Sequence, residues 1–249
     1  MKWLLILVRL PVVLVFVVLG FIAIILMHLF AGKKWFHRSS GKVTIQYWMQ
    51  AFAAVLGLKV HVNGHPHTGL LAANHISWLD IIAINSVMAS RFVSKDDVIS
   101  WPIIGLLPKW SGTFFLQRGS AKAVSRLNEE IVQALQENAT VAVFPEGRTH
   151  DGEKVHRFFS ALLQAGLDAG VLVQALAIRY IREGKRDTLA PFIDDETIVM
   201  HLLKILGATR TDVYLAFAEA FIPKDLSRKG LAEKLQKQIS QQFTQPITD

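Results

Sequence analysis

The hydrophobic and polar positions divide the chain into two unequal parts. From residue 10 to residue 32 no side chain is formally charged, and Val, Leu, Ile and Phe dominate. A run longer than the roughly 20 residues that cross a bilayer core predicts a membrane helix. It exceeds the apolar region of a secretory signal and has no small-residue cleavage site. Pro11 falls near its start, where a helix tolerates proline. Lys33, Lys34, Arg38 and Lys42 follow the run, against Lys2 and Arg9 before it. That bias places the following domain on the cytoplasmic side, with the run either spanning the bilayer or inserted in one leaflet. Residues 45–58 form a second apolar stretch, with Trp48, Met49, Phe52 and Val55 spaced for one helical face. That stripe either packs against a core or, with Tyr47 and Trp48, lies in the membrane interface. The pattern therefore separates residues 1–57, a membrane-anchoring helical segment, from a body at 58–249.

Beyond residue 58 the periodicity alternates between two and 3.6. Residues 59–62 alternate as a strand does, Asn63-Gly64 opens a turn, and Thr68-Gly69 leads into a short apolar run at 70–73. Residues 79–87 read as a helix and 91–94 as a strand ending at Lys95. Residues 101–108 are apolar and broken by two prolines, and 112–116 read as a further strand. An amphipathic helix covers 120–137, with Val124, Leu127, Ile131 and Leu135 on one face. A buried-type strand follows at 140–144, then a helix at 158–169 and the longest strand at 171–180. A helix at 201–206, a strand at 212–218 and a polar helix at 231–243 complete the chain. Strands alternating with helices predict an α/β fold with a mostly parallel central sheet flanked by helices. The chemistry of such sheets gathers beyond the carboxyl ends of the strands.

Composition narrows the partners. The 249 residues carry a formal charge of +7 with 51% hydrophobic and 19% charged positions, a pI near 9.7 and a mean hydropathy of +0.34. A basic chain suits nucleic acid or an anionic membrane surface. The apolar content favours the membrane, and the dispersed cations with few aromatics between them exclude nucleic acid. There is no cysteine, hence no disulfide, thiolate metal site or cysteine nucleophile. His61, His65 and His67 alternate along a strand and turn without a partner cluster, and read as surface histidines rather than metal ligands.

The stretch from Ala72 to Asp80, Ala-Ala-Asn-His-Ile-Ser-Trp-Leu-Asp, carries the candidate chemistry. On one helix, five residues advance roughly 500°, so His75 and Asp80 would diverge. They converge if His75 sits in the turn after a strand and Asp80 in the first turn of the next helix. Ser77 suits the N-cap of that helix, and Asp80 stands where a capping-box acid sits. A carboxylate orienting an imidazole of pKa near 6.5 makes a base that can deprotonate an alcohol. Two plainer readings stand beside it: Asp80 as a helix cap, and His75 as a structural strand-end histidine. Four polar groups follow four apolar strands: His75, Lys95, Arg118, and Glu146 with Arg148. In a parallel sheet their loops share one edge. One base among several cations suits an anionic substrate, such as a phosphate, bearing a nearby hydroxyl. Each cation alone reads as a solvated surface charge.

With these residues in view, the chain resembles the glycerophospholipid acyltransferase family, of the 1-acylglycerol-3-phosphate acyltransferase type, from about residue 59 to residue 222. Asn74-His75, four residues, then Asp80 matches the first motif. Gly112-Thr113-Phe114-Phe115-Leu116-Gln117-Arg118 is similar to the second, and Phe144-Pro145-Glu146-Gly147 matches the third. Val93-Ser94-Lys95 and Trp101-Pro102-Ile103-Ile104-Gly105 are also similar to the family. Two positions depart from it. Arg148 precedes Thr149 where the family has Thr then Arg, and Ala175 stands where the fourth motif has a proline. The resemblance implies transfer of a fatty acyl group from acyl-CoA or acyl carrier protein to the hydroxyl of a lysophospholipid, with 1-acyl-sn-glycerol-3-phosphate giving phosphatidic acid. It implies His75 and Asp80 as catalytic residues, and Lys95, Arg118, Glu146, Gly147, Arg148 and Thr149 as substrate-binding residues. It implies no metal and no cofactor beyond the thioester. Its implied location is a bacterial inner membrane, with residues 58–249 as the acyltransferase domain on the cytoplasmic face. A lyso-ornithine lipid is an alternative acceptor, and a non-catalytic membrane-anchored lipid-binding protein is an alternative class.

Overall fold

The computed structural model describes residues 2–31, 39–95, 112–116 and 121–244. The short apolar runs become strands β1 (Leu58–Asn63), β2 (Leu70–Ala73), β3 (Arg91–Lys95), β4 (Phe114–Leu116) and β5 (Val141–Val143). They continue as β6 (Val173–Arg182), β7 (Lys185–Arg186) and β8 (Thr211–Phe217). The 3.6-residue stripes become α1 (Lys2–Ala31), α2 (Ser39–Leu56), α3 (Leu79–Val87) and α4 (Ala121–Gln136). The later helices are α5 (Gln164–Ala169), α6 (Ile198–Leu206) and α7 (Arg228–Thr244). Among the described residues the strands form one sheet in the order β1-β8-β6-β2-β5-β3-β4, with β7 paired to β6. Strands β6, β2, β5, β3 and β4 run parallel to one another. Strand β8 lies antiparallel to β6 and parallel to β1.

Strand β2 lies near the middle of this sheet and is buried along its whole length. Alternation sends Leu71 and Ala73 into a core roofed by α1, α2, α3 and α6. Leu70 and Ala72 enter the opposite core, under α4, α5 and α7. The stripe of α4 falls as its spacing requires, with Leu127, Ile131 and Leu135 buried. The helix predicted from residue 158 starts later, as a 3₁₀ turn at Ala161–Leu163 followed by α5. The Phe159 amide donates to the Pro145 carbonyl at 2.7 Å, which straps that segment to the turn after β5.

By length and composition α1 can cross a membrane. It does not stand clear of the body. Ile6 and Val13 are buried in the core, and Phe16 of α1 stacks on Phe52 of α2 at 5.2 Å and packs at a tilt on Trp48 at 4.1 Å. Its outer flank exposes Leu4, Leu7, Val8, Val15 and Leu29. Arg9 is more than a flanking charge. Its guanidinium donates to the carbonyls of Ala208 at 2.6 Å and Thr209 at 3.0 Å, beyond the end of α6. Cations favour that end of a helix dipole. Helix α2 places Met49, Phe52 and Val55 against the core, while Trp48 packs on Phe16 of α1, so the core-packing reading describes the stripe; Val43 and Tyr47 are exposed. Gln46 and Gln50 donate to the carbonyls of Val87 and Ser86, satisfying the last turn of α3. His61 differs from a bare surface histidine: it meets Asp212 at 2.6 Å and stacks on Tyr214.

Candidate active site

The site begins where β2 runs out of ladder partners. The last β2–β6 register pair joins Ala73 to Leu176. The next side chain, Asn74, replaces the missing rungs. Its amide donates to the Ile178 carbonyl at 3.0 Å and accepts from the Ile178 amide at 2.8 Å. The chain then leaves the sheet with its direction fixed, and His75 is the first residue beyond it.

His75 Nδ1 lies 2.7 Å from Asp80 Oδ2. The same oxygen accepts from the backbone amides of Ile76 at 2.8 Å and Ser77 at 3.0 Å. Oδ1 accepts from the Tyr180 hydroxyl at 2.6 Å. Asp80 is wholly buried, and four donors surround it. Burial and the adjacent Asp80 charge push the Tyr180 hydroxyl well above its ordinary pKa, so it stays a donor. The capping box forms only in half. Asp80 reaches back to the Ser77 amide, but Trp78 occupies the N-cap and makes no side-chain cap bond. The Ser77 hydroxyl is buried without a hydrogen-bond partner. Drawn toward the His75 ring and two turn amides, the carboxylate serves the loop more than the helix.

With Nδ1 donating to a carboxylate, Nε2 keeps its lone pair, the protonation state a general base needs. The ring packs flat on Phe144, centroids 3.9 Å apart. Phe144 is in turn stacked near Phe92. Behind the loop, the Trp78 indole donates to His201 Nδ1 at 2.9 Å, and His201 Nε2 meets the Pro191 carbonyl at 3.1 Å. An indole only donates, so His201 is neutral and protonated at Nε2. Burial lowers its pKa, with Lys204 adding to the effect.

Strands β2, β5, β3 and β4 are parallel, so the loops after them leave the sheet at one edge. The backbone of Lys95 ends β3 at that edge; its side chain and the whole of Arg118 lie outside the described residues. Glu146 is buried, and both its oxygens are occupied by backbone amides, His75 at 2.7 Å and His156 at 2.7 Å. Burial raises its pKa while those two amides lower it. Glu146 thus ties the His75 turn to the strap that carries His156. Gly147 takes φ +73° in the turn, a conformation that disfavours any side chain. Arg148 is exposed beside it. The Thr149 hydroxyl donates to the Phe192 carbonyl, and the Phe192 amide donates to the Ile76 carbonyl at 2.9 Å. Thr149 therefore holds a buttress behind the loop. Ala175 is buried in β6 opposite Ala72. Among the described residues no three His, Asp or Glu side chains converge as metal ligands.

Sequence reasoning overlooked Tyr180, His201, and the pair His150 and His156, whose rings stack at 3.6 Å. The one hydroxyl-bearing side chain of β6, a strand that also carries Gln174, Arg179 and Arg182, was the available signal for Tyr180.

A buried carboxylate holding an imidazole at the carboxyl edge of an α/β sheet is an arrangement able to act as a base. Comparison with known proteins places the chain in a family. A family model described as Acyltransferase matches residues 58–179. A lyso-ornithine lipid O-acyltransferase of Pseudomonas aeruginosa is 36% identical over 78% of this chain and 76% of its own. A 1-acyl-sn-glycerol-3-phosphate acyltransferase of Neisseria gonorrhoeae is 34% identical over 81% of each chain. The fold is shared with the 1-acyl-sn-glycerophosphate acyltransferase of Thermotoga maritima, at a TM-score of 0.73 and 20% identity, over 97% of this chain and 94% of that one. The chain belongs to the acyltransferase family, an enzyme family of membrane lipid synthesis.

Proposed function

We propose that the protein transfers a fatty acyl group from acyl-CoA or acyl carrier protein to the free hydroxyl of a lysophospholipid. In this reading 1-acyl-sn-glycerol-3-phosphate is the acceptor and phosphatidic acid the product. The observation that carries it is the 2.7 Å contact between His75 Nδ1 and the buried Asp80 carboxylate. His75 Nε2 takes the acceptor hydroxyl proton as the oxygen attacks the thioester carbonyl. Asp80 stabilises the imidazolium that forms. The tetrahedral intermediate collapses with loss of thiolate, which recovers the proton from His75. No enzyme nucleophile is required, because the acceptor supplies the attacking oxygen.

Arg118, Lys95 and Arg148 hold the acceptor phosphate, and Gly147 gives the turn the backbone shape that presents Arg148. Glu146 and Thr149 act from beneath, through the amides and carbonyls they bind. Residues 1–57 anchor the protein and residues 58–249 form the acyltransferase domain, on the cytoplasmic face of a bacterial inner membrane. The one-sided exposure of α1 supports insertion in a single leaflet, its inner flank resting on α2 and α6.

A second reading is acylation of a lyso-ornithine lipid, as the name of the Pseudomonas relative states for that protein. A cavity of about 510 Å³ lined by Asp151, Arg186, Asp194, Glu196 and Lys204 carries both signs of charge. It offers a place to read a zwitterionic headgroup. Mass spectrometry of products from mixed thioesters and mixed lyso-lipids separates the two acceptors. His75→Ala is expected to lower acyl transfer by about 10³-fold; activity near wild type ends the assignment.

A further inference from the structure

His150 and His156 stack nearly parallel, with centroids 3.6 Å apart and planes at 8°. Both are pinned to the turn that carries the base. The His150 amide donates to the His75 carbonyl at 2.9 Å. The His156 amide donates to Glu146, whose other oxygen accepts from the His75 amide. Both histidines are half-buried, and exposed Arg148 lies near enough for its charge to act on His150. Nothing in the base chemistry uses them.

We infer that the His150–His156 stack, with Arg148, contacts the acceptor's phosphate and takes up a proton as that phosphate binds. This inference rests on the lysophospholipid reading above. Two imidazolium rings at that spacing repel each other, so the free pair carries at most one proton. Burial lowers the pKa of His150, and His156, Arg148 and His75 lower it further; Asp151 alone opposes them. The other nearby acids are committed: Glu146 to the two amides, and Glu153 to Arg186 at 2.6 Å. His150 therefore holds a proton poorly in the free stack. A phosphate monoester, with its second pKa near 6, arrives as a dianion. Bringing that charge beside the rings raises their pKa and draws in a proton. An ammonium-bearing headgroup has the opposite effect.

The sign follows from linkage. The protonated stack binds the dianion, so above the phosphate's own pKa affinity rises as pH falls, and it is lost as pH rises through the pKa of the complex. Between the pKa of the free pair and that of the complex, the acceptor KM rises by up to about tenfold per pH unit. The experiment measures KM and kcat for 1-acyl-sn-glycerol-3-phosphate and for lyso-ornithine lipid from pH 6 to 8.5, in wild type, His156→Gln and His150→Phe. The phenylalanine keeps the stacked ring but cannot titrate. The expected result is a steep KM slope in wild type with the phosphate acceptor, flattened to under about twofold per unit in both variants. The variants' loss falls on KM and not on the KM for thioester. A wild-type slope preserved in either variant overturns the inference and leaves the acyl-transfer reading standing. So does a loss confined to kcat, which marks the stack as structural. Turnover of lyso-ornithine lipid alone overturns the phosphate reading and this inference with it.

Discussion

The turn after β2 and the turn after β5 each bury a carboxylate at one sheet edge, yet the two acids hold different atoms. Asp80 grips an imidazole, two amides and a phenol. Glu146 grips two amides and no titratable side chain. Both lie in stretches that resemble motifs of the family, and on sequence grounds alone both invite a role in chemistry. The geometry separates them. An acid bonded to a ring controls that ring's tautomer; an acid bonded to amides controls where the backbone runs. Motif membership marks a residue as needed without saying what it touches.

The contrast is open to attack at three points. Asp80→Asn should lower kcat by about 10²- to 10⁴-fold, because an amide can turn its NH2 toward Nδ1 and impose the wrong tautomer. A kcat within threefold of wild type would erase the distinction between the two acids. Tyr180→Phe removes one donor and leaves Asp80 Oδ1 buried without it. The expected loss is roughly tenfold in kcat, with about 1–3 kcal/mol of stability. A normal kcat with lowered stability would show that ring orientation survives on the amides alone. Glu146→Gln should cost about 1–3 kcal/mol in denaturant unfolding, yet reduce kcat by less than tenfold well below the melting midpoint. If stability is kept and kcat collapses, Glu146 acts on substrate and the comparison fails.

How much of this was legible in the sequence depended on range. The strand–turn–helix around His75 could be read because its determinants are local: an apolar run, then a histidine, then an acid five positions on. The other strands except the two-residue β7 were visible for the same reason, to within a residue or two. Strand order was not. β8 slots between β1 and β6, antiparallel to β6, through pairing across some thirty or more positions, and no local periodicity encodes that choice. The supports of the site were hidden likewise. Tyr180 meets Asp80 from 100 residues away, and Trp78 meets His201 from 123. Ser77 misled in the other direction. Its N-cap chemistry was locally sound, but the helix starts a residue later and the Asp80 carboxylate serves the ring and both turn amides.

The way α1 lies on the body bears on how the protein can be handled. Removing the first helix would strip the cover from Phe52 and Trp48 and leave the carbonyls after α6 without Arg9. A shortened chain would trade one greasy surface for another and lose a fastening as well. Polar replacements at the outward positions Leu4, Leu7, Val8 and Val15, with Ile6, Arg9, Val13 and Phe16 left alone, offer the gentler route to a detergent-free enzyme.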